Sequence, residues 1–202
     1  MAQHNGEWKI ERFGPENYGS NTYLLVKGKE AALIDAVDAG DDMGRVIEQM
    51  GVRLKYLLLT HGSEAAAEAT PLLKKRFGGE VCIHAMDQEG LAELGHPMEV
   101  DILLKENDSL EIQGSAMAVL HTPGHTYGSL SFYVEEAGAL FSGMALMKGG
   151  YGKIWGPDTM RLMMMSLRRL NNVIPPEVTI YPGQGPVTKI AKEGWINCLR
   201  SM

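Results

Sequence analysis

The order of short apolar runs along the 202 residues constrains the fold more than any other feature of the chain. In the first half, Trp8–Phe13, Thr22–Lys27, 31–36, 56–60 and Glu80–His84 alternate or run apolar over five or six residues, the length and pattern of β-strands. Helix signals fall between them. Asp41 is placed to cap a helix that reaches Met50 and stops at Gly51. Thr70 as cap, Pro71 at the first helical position and Gly78 past the end frame a second, and 86–94 reads as a third, followed by an irregular connection over 95–108. The second half repeats the theme with strands near 109–113, 117–121, 129–134 and 139–142, a helix over 158–171, a strand at 178–181 and a last helix over 188–199. Two β-rich halves, each with helices, predict two sheets packed face to face with helices outside, in one domain spanning 1–202.

Composition narrows the function classes. The chain is 45% hydrophobic and 22% charged, as a soluble globular domain is. Its longest apolar runs, 56–59 and 116–120, fall far short of the roughly 20 residues that span a bilayer. The N-terminal stretch 1–8 lacks the basic and apolar blocks of a secretory signal, so the expected location is cytoplasmic. A net charge of −6 without a basic stripe argues against nucleic acid as a partner, because phosphate neutralisation needs clustered Lys and Arg; Lys74, Lys75 and Arg76 read as a solvated helix face. Cys82 and Cys198 are too few and too far apart to suggest a disulfide framework or a thiolate metal site. Met160, Met163, Met164 and Leu167 recur at helical spacing, the pattern of a core stripe that is also suited to a homo-oligomer contact.

Five ordered segments carry chemistry: "NTYLLV", "ALIDAVDAG", "LLLTHGSEAAAEA", "HTPGHTYGSLSFY" followed by "LFSGMAL", and "YPGQGPVT". Together they resemble the metallo-β-lactamase superfamily, and within it the glyoxalase II-like hydrolases, over about 21–197. The resemblance implies an α/β fold, a four-layer αββα sandwich with a di-metal site built from loops at one edge of the sheets. It also implies where the ligands should stand. The family's Thr-His-x-His-x-Asp-His is here Thr60, His61, Gly62, Ser63, Glu64, Ala65, Ala66, so one ligand of four remains. The His of Thr-Pro-Gly-His-Thr is present as His125; the bridging Asp is replaced by Met144, and the final His of Pro-Gly-His-Gly by Gln184.

Two cations in such a site lower the pKa of a bridging water and polarise the scissile carbonyl. Alanine cannot ligate, and a methionine thioether is a soft, neutral donor matched to copper(I) rather than to zinc or iron. His61 and His125 are therefore read as remnant ligands, Ser63, Ala65, Ala66, Met144 and Gln184 as positions of lost ones, and no residue as catalytic. No metal is expected at full occupancy; if one binds, it is a single zinc, iron or manganese ion. Glu64 occupies a non-ligand position and should point away. Ser63 is a good N-cap and Ala65–67 have high helix propensity, which predicts that the former metal loop has become a helical turn.

Further along, "GYGKIWGPDTM" resembles the glyoxalase II stretch whose Lys and aromatic residue contact the glutathione moiety, and it matches those positions with Lys153 and Trp155. A cleft lined by Tyr127, Lys153, Trp155 and Gln184 would keep a place for a small anionic or thiol-derived molecule after hydrolysis is lost. The leading expectation is thus a metallo-β-lactamase-fold protein with an eroded di-metal site, inactive as a metallohydrolase and kept for small-molecule or partner binding. The alternatives are a thioester or acyl hydrolase working with one metal at His61 and His125, and metal-free catalysis through Ser63 with a histidine base.

Overall fold

A computed structural model describes residues 7–14, 19–38 and 40–201. Among them the first sheet runs in sequence order: β1 (Trp8–Phe13), β2 (Thr22–Lys27), β3 (Glu30–Ile34), β4 (Arg53–Leu58), β5 (Glu80–His84) and β6 (Ile102–Leu104). Its first three strands form an antiparallel meander and β3 to β6 are parallel, joined by α1 (Asp41–Met50), α2 (Glu64–Phe77) and α3 (Ala85–Glu93). The second sheet consists of β7 (Ser109–Ile112), β8 (Ser115–His121), β9 (Leu130–Val134), β10 (Ala139–Gly143), β11 (Thr179–Pro182) and β12 (Thr188–Lys189), ordered β12-β11-β10-β9-β8-β7. Only β10 and β11 pair in parallel there, across the helix α4 (Pro157–Val173).

Period-2 alternation sorts side chains into three apolar layers. On β2, Tyr23 and Leu25 face the second sheet and meet Leu58, Val119, Phe132 and Phe141, while Leu24 and Val26 face Met43, Ile47 and Leu73 of the helices. Both faces of this strand are buried, which is why "TYLLV" is apolar throughout. Beyond the second sheet, Met163, Leu167 and Leu170 of α4 pack on Leu140 and Ile180. The layers are those of an αββα sandwich. At one corner the sheets are also tied by Lys27, whose buried ammonium bonds Ser115 and Glu136.

The expected elements are found, with four differences. The second helix does not begin at Thr70. Ser63 takes an extended conformation (φ −130°, ψ 147°) and its Oγ accepts from the Ala66 N–H at 3.2 Å, and α2 then carries Pro71 in its interior. The cap, the alanines and the basic last turn of Lys74, Lys75 and Arg76 outweigh the proline. Second, 95–108 contains β6, whose three residues add to the parallel edge through Cys82, Ile83 and His84. Third, 188–199 is the short strand β12 followed by 3-10 turns at Ile190–Lys192 and Gly194–Ser201 rather than an α-helix. Fourth, Met160 stands 37% exposed outside the methionine stripe, whereas Met163 is fully buried.

Pro71 is exposed in mid-helix and withholds an N–H from the ladder, at a cost of about 3 kcal/mol that its stiffening of the unfolded chain offsets by up to about 1. Pro71→Ala should therefore raise the free energy of unfolding by about 2 kcal/mol, read from the urea midpoint.

Candidate functional site

The ends of four strands meet at one edge of the sandwich. β3 leads into Asp35, held at a positive φ of 52°; the backbone past β4 carries Thr60 and His61; β10 ends at Gly143 and leads into Met144, and β11 leads into Gly183 and Gln184. Parallel strands place their carboxyl ends together, and ligand sites gather there. The turn between β8 and β9 adds His125 from the side. Backbone bonds lock the edge: Leu130 N–H donates to Thr60 O across the two sheets at 2.7 Å, and Gly183 N–H to Gly143 O at 2.7 Å. Two glycines permit the closeness. A β-carbon at Gly143, whose φ is 52°, would collide with the Thr60 side chain, and one at Gly124 would lie 2.6 Å from Met163 Cα of α4.

The histidines are oriented from behind. The buried Asp35 accepts from Thr60 N–H at 2.7 Å and from Thr60 Oγ1–H at 2.6 Å. Burial pushes its carboxyl up, and the neighbouring His61 and the Thr60 bonds oppose that. Thr60 Oγ1 also lies 3.0 Å from His61 Nδ1, a contact whose donor is set by the imidazole tautomer. His125 Nδ1 donates to Lys153 O at 3.0 Å. Each ring is thus held at Nδ1, and the two rings stand edge to face, 5.0 Å between centroids. Burial, with His61 nearby, depresses the His125 pKa, against the Lys153 carbonyl, which favours the charged form.

Two cavities flank His125. One, a cleft of about 550 Å³, gathers His61, Ser63, Ala65, His125, Met144 and Gln184, together with Lys153. The other, about 390 Å³ and mostly apolar, lies between α3 and the start of α4 and is walled by Met86, Leu91, Leu94, Tyr127 and Trp155. The expectation of a single cleft holding Tyr127, Lys153, Trp155 and Gln184 is corrected accordingly: Tyr127 and Trp155 line the apolar cavity, Lys153 and Gln184 the polar one. Lys153 Nζ sits 3.9 Å over the Trp155 ring and Trp155 Nε1–H donates to His125 O at 2.9 Å, so this pair forms the ridge between them. Ala66 is also displaced from its expected place. It is 2% exposed in the core beneath α2, because the helix starts at Glu64 and turns that position inward. Glu64 points outward, as expected, towards His96 at 3.2 Å.

Known proteins were compared with this geometry in view. No protein-family model matches the chain. The hydroxyacylglutathione hydrolase GloC of Haemophilus influenzae is 31% identical over 82% of this chain and 84% of its own. The chain belongs to the glyoxalase II-like branch of the metallo-β-lactamase superfamily. A hydroxyacylglutathione hydrolase of Cereibacter sphaeroides is 32% identical over 83% of the chain, which spans only 62% of that relative's length. Among solved structures, the B3 metallo-β-lactamase BLEG-1 superposes with a TM-score of 0.76 at 27% identity over 92% of this chain and 96% of its own. The protein TTHA1623, solved in a di-iron-bound form, gives 0.74 at 27% identity over the same shares.

The donors present do not fit the family's pair of divalent ions. Two imidazoles and Asp35 line the cleft, each Asp35 oxygen accepting one bond from Thr60, and the positions the resemblance assigns to the other ligands hold Ser63, Ala65, Ala66, Met144 and Gln184. Among the described residues, the trio of imidazole and carboxylate donors close enough to share an ion is Glu64, Glu68 and His96, on the outer side of α2.

Sequence reasoning missed Asp87. Buried in the first turn of α3, it accepts from Gly62 N–H at 2.8 Å, Thr126 Oγ1–H at 2.7 Å and Gly128 N–H at 2.8 Å, and so binds the His61 loop to the His125 loop. Its position in a polar-looking helix start, "AMDQEG", gave no signal, since its partners lie in loops far along the chain. It missed Glu193 similarly: the buried carboxylate accepts from Gly149 N–H, Thr188 Oγ1–H and Trp195 Nε1–H and braces the loop that leads to Lys153.

Asp87→Ala orphans three donors and should cost about 3 kcal/mol or more, measured by urea unfolding, with loss of the nuclear Overhauser contact between the His61 and His125 rings. The depressed His125 pKa sets a second expectation. The unfolded imidazole takes a proton near pH 6.5 while the folded one resists, so stability is complete above about pH 6.5 and declines as the pH falls toward the folded value. His84, also depressed by burial and by His121, adds to the same decline. Urea midpoints between about pH 7.5 and 5.5 should fall in the wild type and fall less in the His84→Gln, His125→Gln double variant.

Proposed function

We propose that this chain binds a small amphipathic anion at the sheet edge and does not assemble the two-metal hydrolytic centre of its relatives. One observation carries the reading: the cleft presents two imidazoles and Asp35, whose two oxygens each bond Thr60, and among the described residues no third imidazole or thiolate lines it. Two neutral donors leave a divalent cation without the charge neutralisation that a stable hard-ion site requires. What remains is a recognition surface. Lys153 offers a cation beside the polar cleft, and Trp155 and Tyr127, 64% and 54% exposed, offer flat apolar walls beside it. An anion carrying an acyl or aryl group matches both sides of the ridge. The names of the relatives point to S-substituted glutathione as the first class to try.

A single-ion hydrolase is the second reading, favoured by the two imidazoles held at Nδ1. Ser63 as a nucleophile has less support: its Oγ is engaged by Ala66 N–H, and among the described residues no hydrogen bond joins it to either imidazole, as an activated hydroxyl requires.

Elemental analysis of the purified protein, an assay with a hydroxyacylglutathione, and a tryptophan-fluorescence titration with an S-alkyl glutathione test these together. The expected result is zinc, iron and manganese each well below one per chain, no turnover, and a saturable fluorescence change that Lys153→Ala weakens by about tenfold, the 1.4 kcal/mol typical of one charge-assisted contact. Near-stoichiometric metal, lost together with turnover in His125→Ala, would return the chain to the metallohydrolases.

A further inference from the structure

The mismatch between the cleft and a pair of hard ions has a positive side. The position that the resemblance assigns to the bridging carboxylate is filled by Met144, whose side chain lines the same cleft as His61 and His125, with the second thioether of Met147 nearby. The fold forces this approach: Gly143, next to Met144, lies against Thr60, next to His61. Both imidazoles have Nδ1 tied to the protein, at Thr60 Oγ1 and Lys153 O, the arrangement that orients a ligating ring and leaves Nε2 to an ion. Ring centroids 5.0 Å apart allow both Nε2 atoms to reach one ion at the usual nitrogen–metal distance of about 2.0 Å. The donors are therefore neutral, and one is soft.

We infer that His61, His125 and Met144 form a site for a single soft monovalent ion, copper(I). Two imidazoles and a thioether are neutral donors, one of them soft, a set that suits copper(I) better than zinc or iron. The inference rests on the reading that the divalent pair is not assembled. Neither cysteine takes part: Cys82 is fully buried, with burial pushing its thiol up to about 12, and Cys198 is exposed on the C-terminal 3-10 turn.

The test is an anaerobic competition of full-length protein against bicinchoninate for copper(I), in a Cys198→Ser background so that the exposed thiol does not compete. One equivalent per chain is expected, with the affinity lowered by at least about tenfold in Met144→Leu, a swap of similar volume whose unchanged melting temperature certifies the fold. Met144→Asp should shift the preference from copper(I) toward zinc. Copper(I) held equally well by Met144→Leu overturns the site. Binding of neither copper(I) nor zinc overturns it too, and leaves the ligand-binding reading standing; stoichiometric zinc that His125→Ala abolishes overturns both, while zinc that survives that change belongs to Glu64, Glu68 and His96 and, without copper(I), also overturns the site.

Discussion

The whole site depends on one buried carboxylate. Asp87 spends both oxygens on donors from two loops that belong to different sheets, Gly62 from the first and Thr126 and Gly128 from the second. Besides those bonds, the backbone bond from Leu130 to Thr60 also ties the loops. A buried carboxyl group satisfied by three donors is costly to disturb, so Asp87 fixes the two loops while Thr60 and Lys153 orient the rings they carry. The pair can thus stay preorganised with or without an ion.

Where the resemblance expects metal ligands after His61, the chain forms the first turn of α2. Once Ser63 caps α2 and alanines follow, the first turn closes as ordinary helix and Ala66 enters the core. Propensity, capping and burial all favour that conformation, so the altered loop is stable in its own right and is no frayed remnant.

Much of this was legible beforehand. Alternation and turn residues marked ten of the twelve strands among the described residues, because strands buried on both faces write their burial into the sequence. β6 and β12 were not legible: three and two residues supported by a neighbouring strand carry no periodicity of their own. The start of α2 was ambiguous because two local rules, a capped proline at Thr70–Pro71 and a capped alanine run at Ser63, competed, and tertiary burial of Ala66, Ala67 and Leu73 decided between them. At the site, His61, His125, Met144 and Gln184 were located by their motifs. The division of Tyr127 and Lys153 between two cavities, and the roles of Asp87 and Glu193, depend on contacts across dozens of residues, which no local pattern encodes.

His125 is a party wall. One side of it fronts the polar cleft and the other the apolar cavity, while its backbone carbonyl holds Trp155 and its ring is held by Lys153. Any occupant that shifts this ring reshapes the space next door, and thermodynamic reciprocity then requires the neighbour's occupant to act back with equal strength. Two tenants sharing such a partition cannot be indifferent to one another.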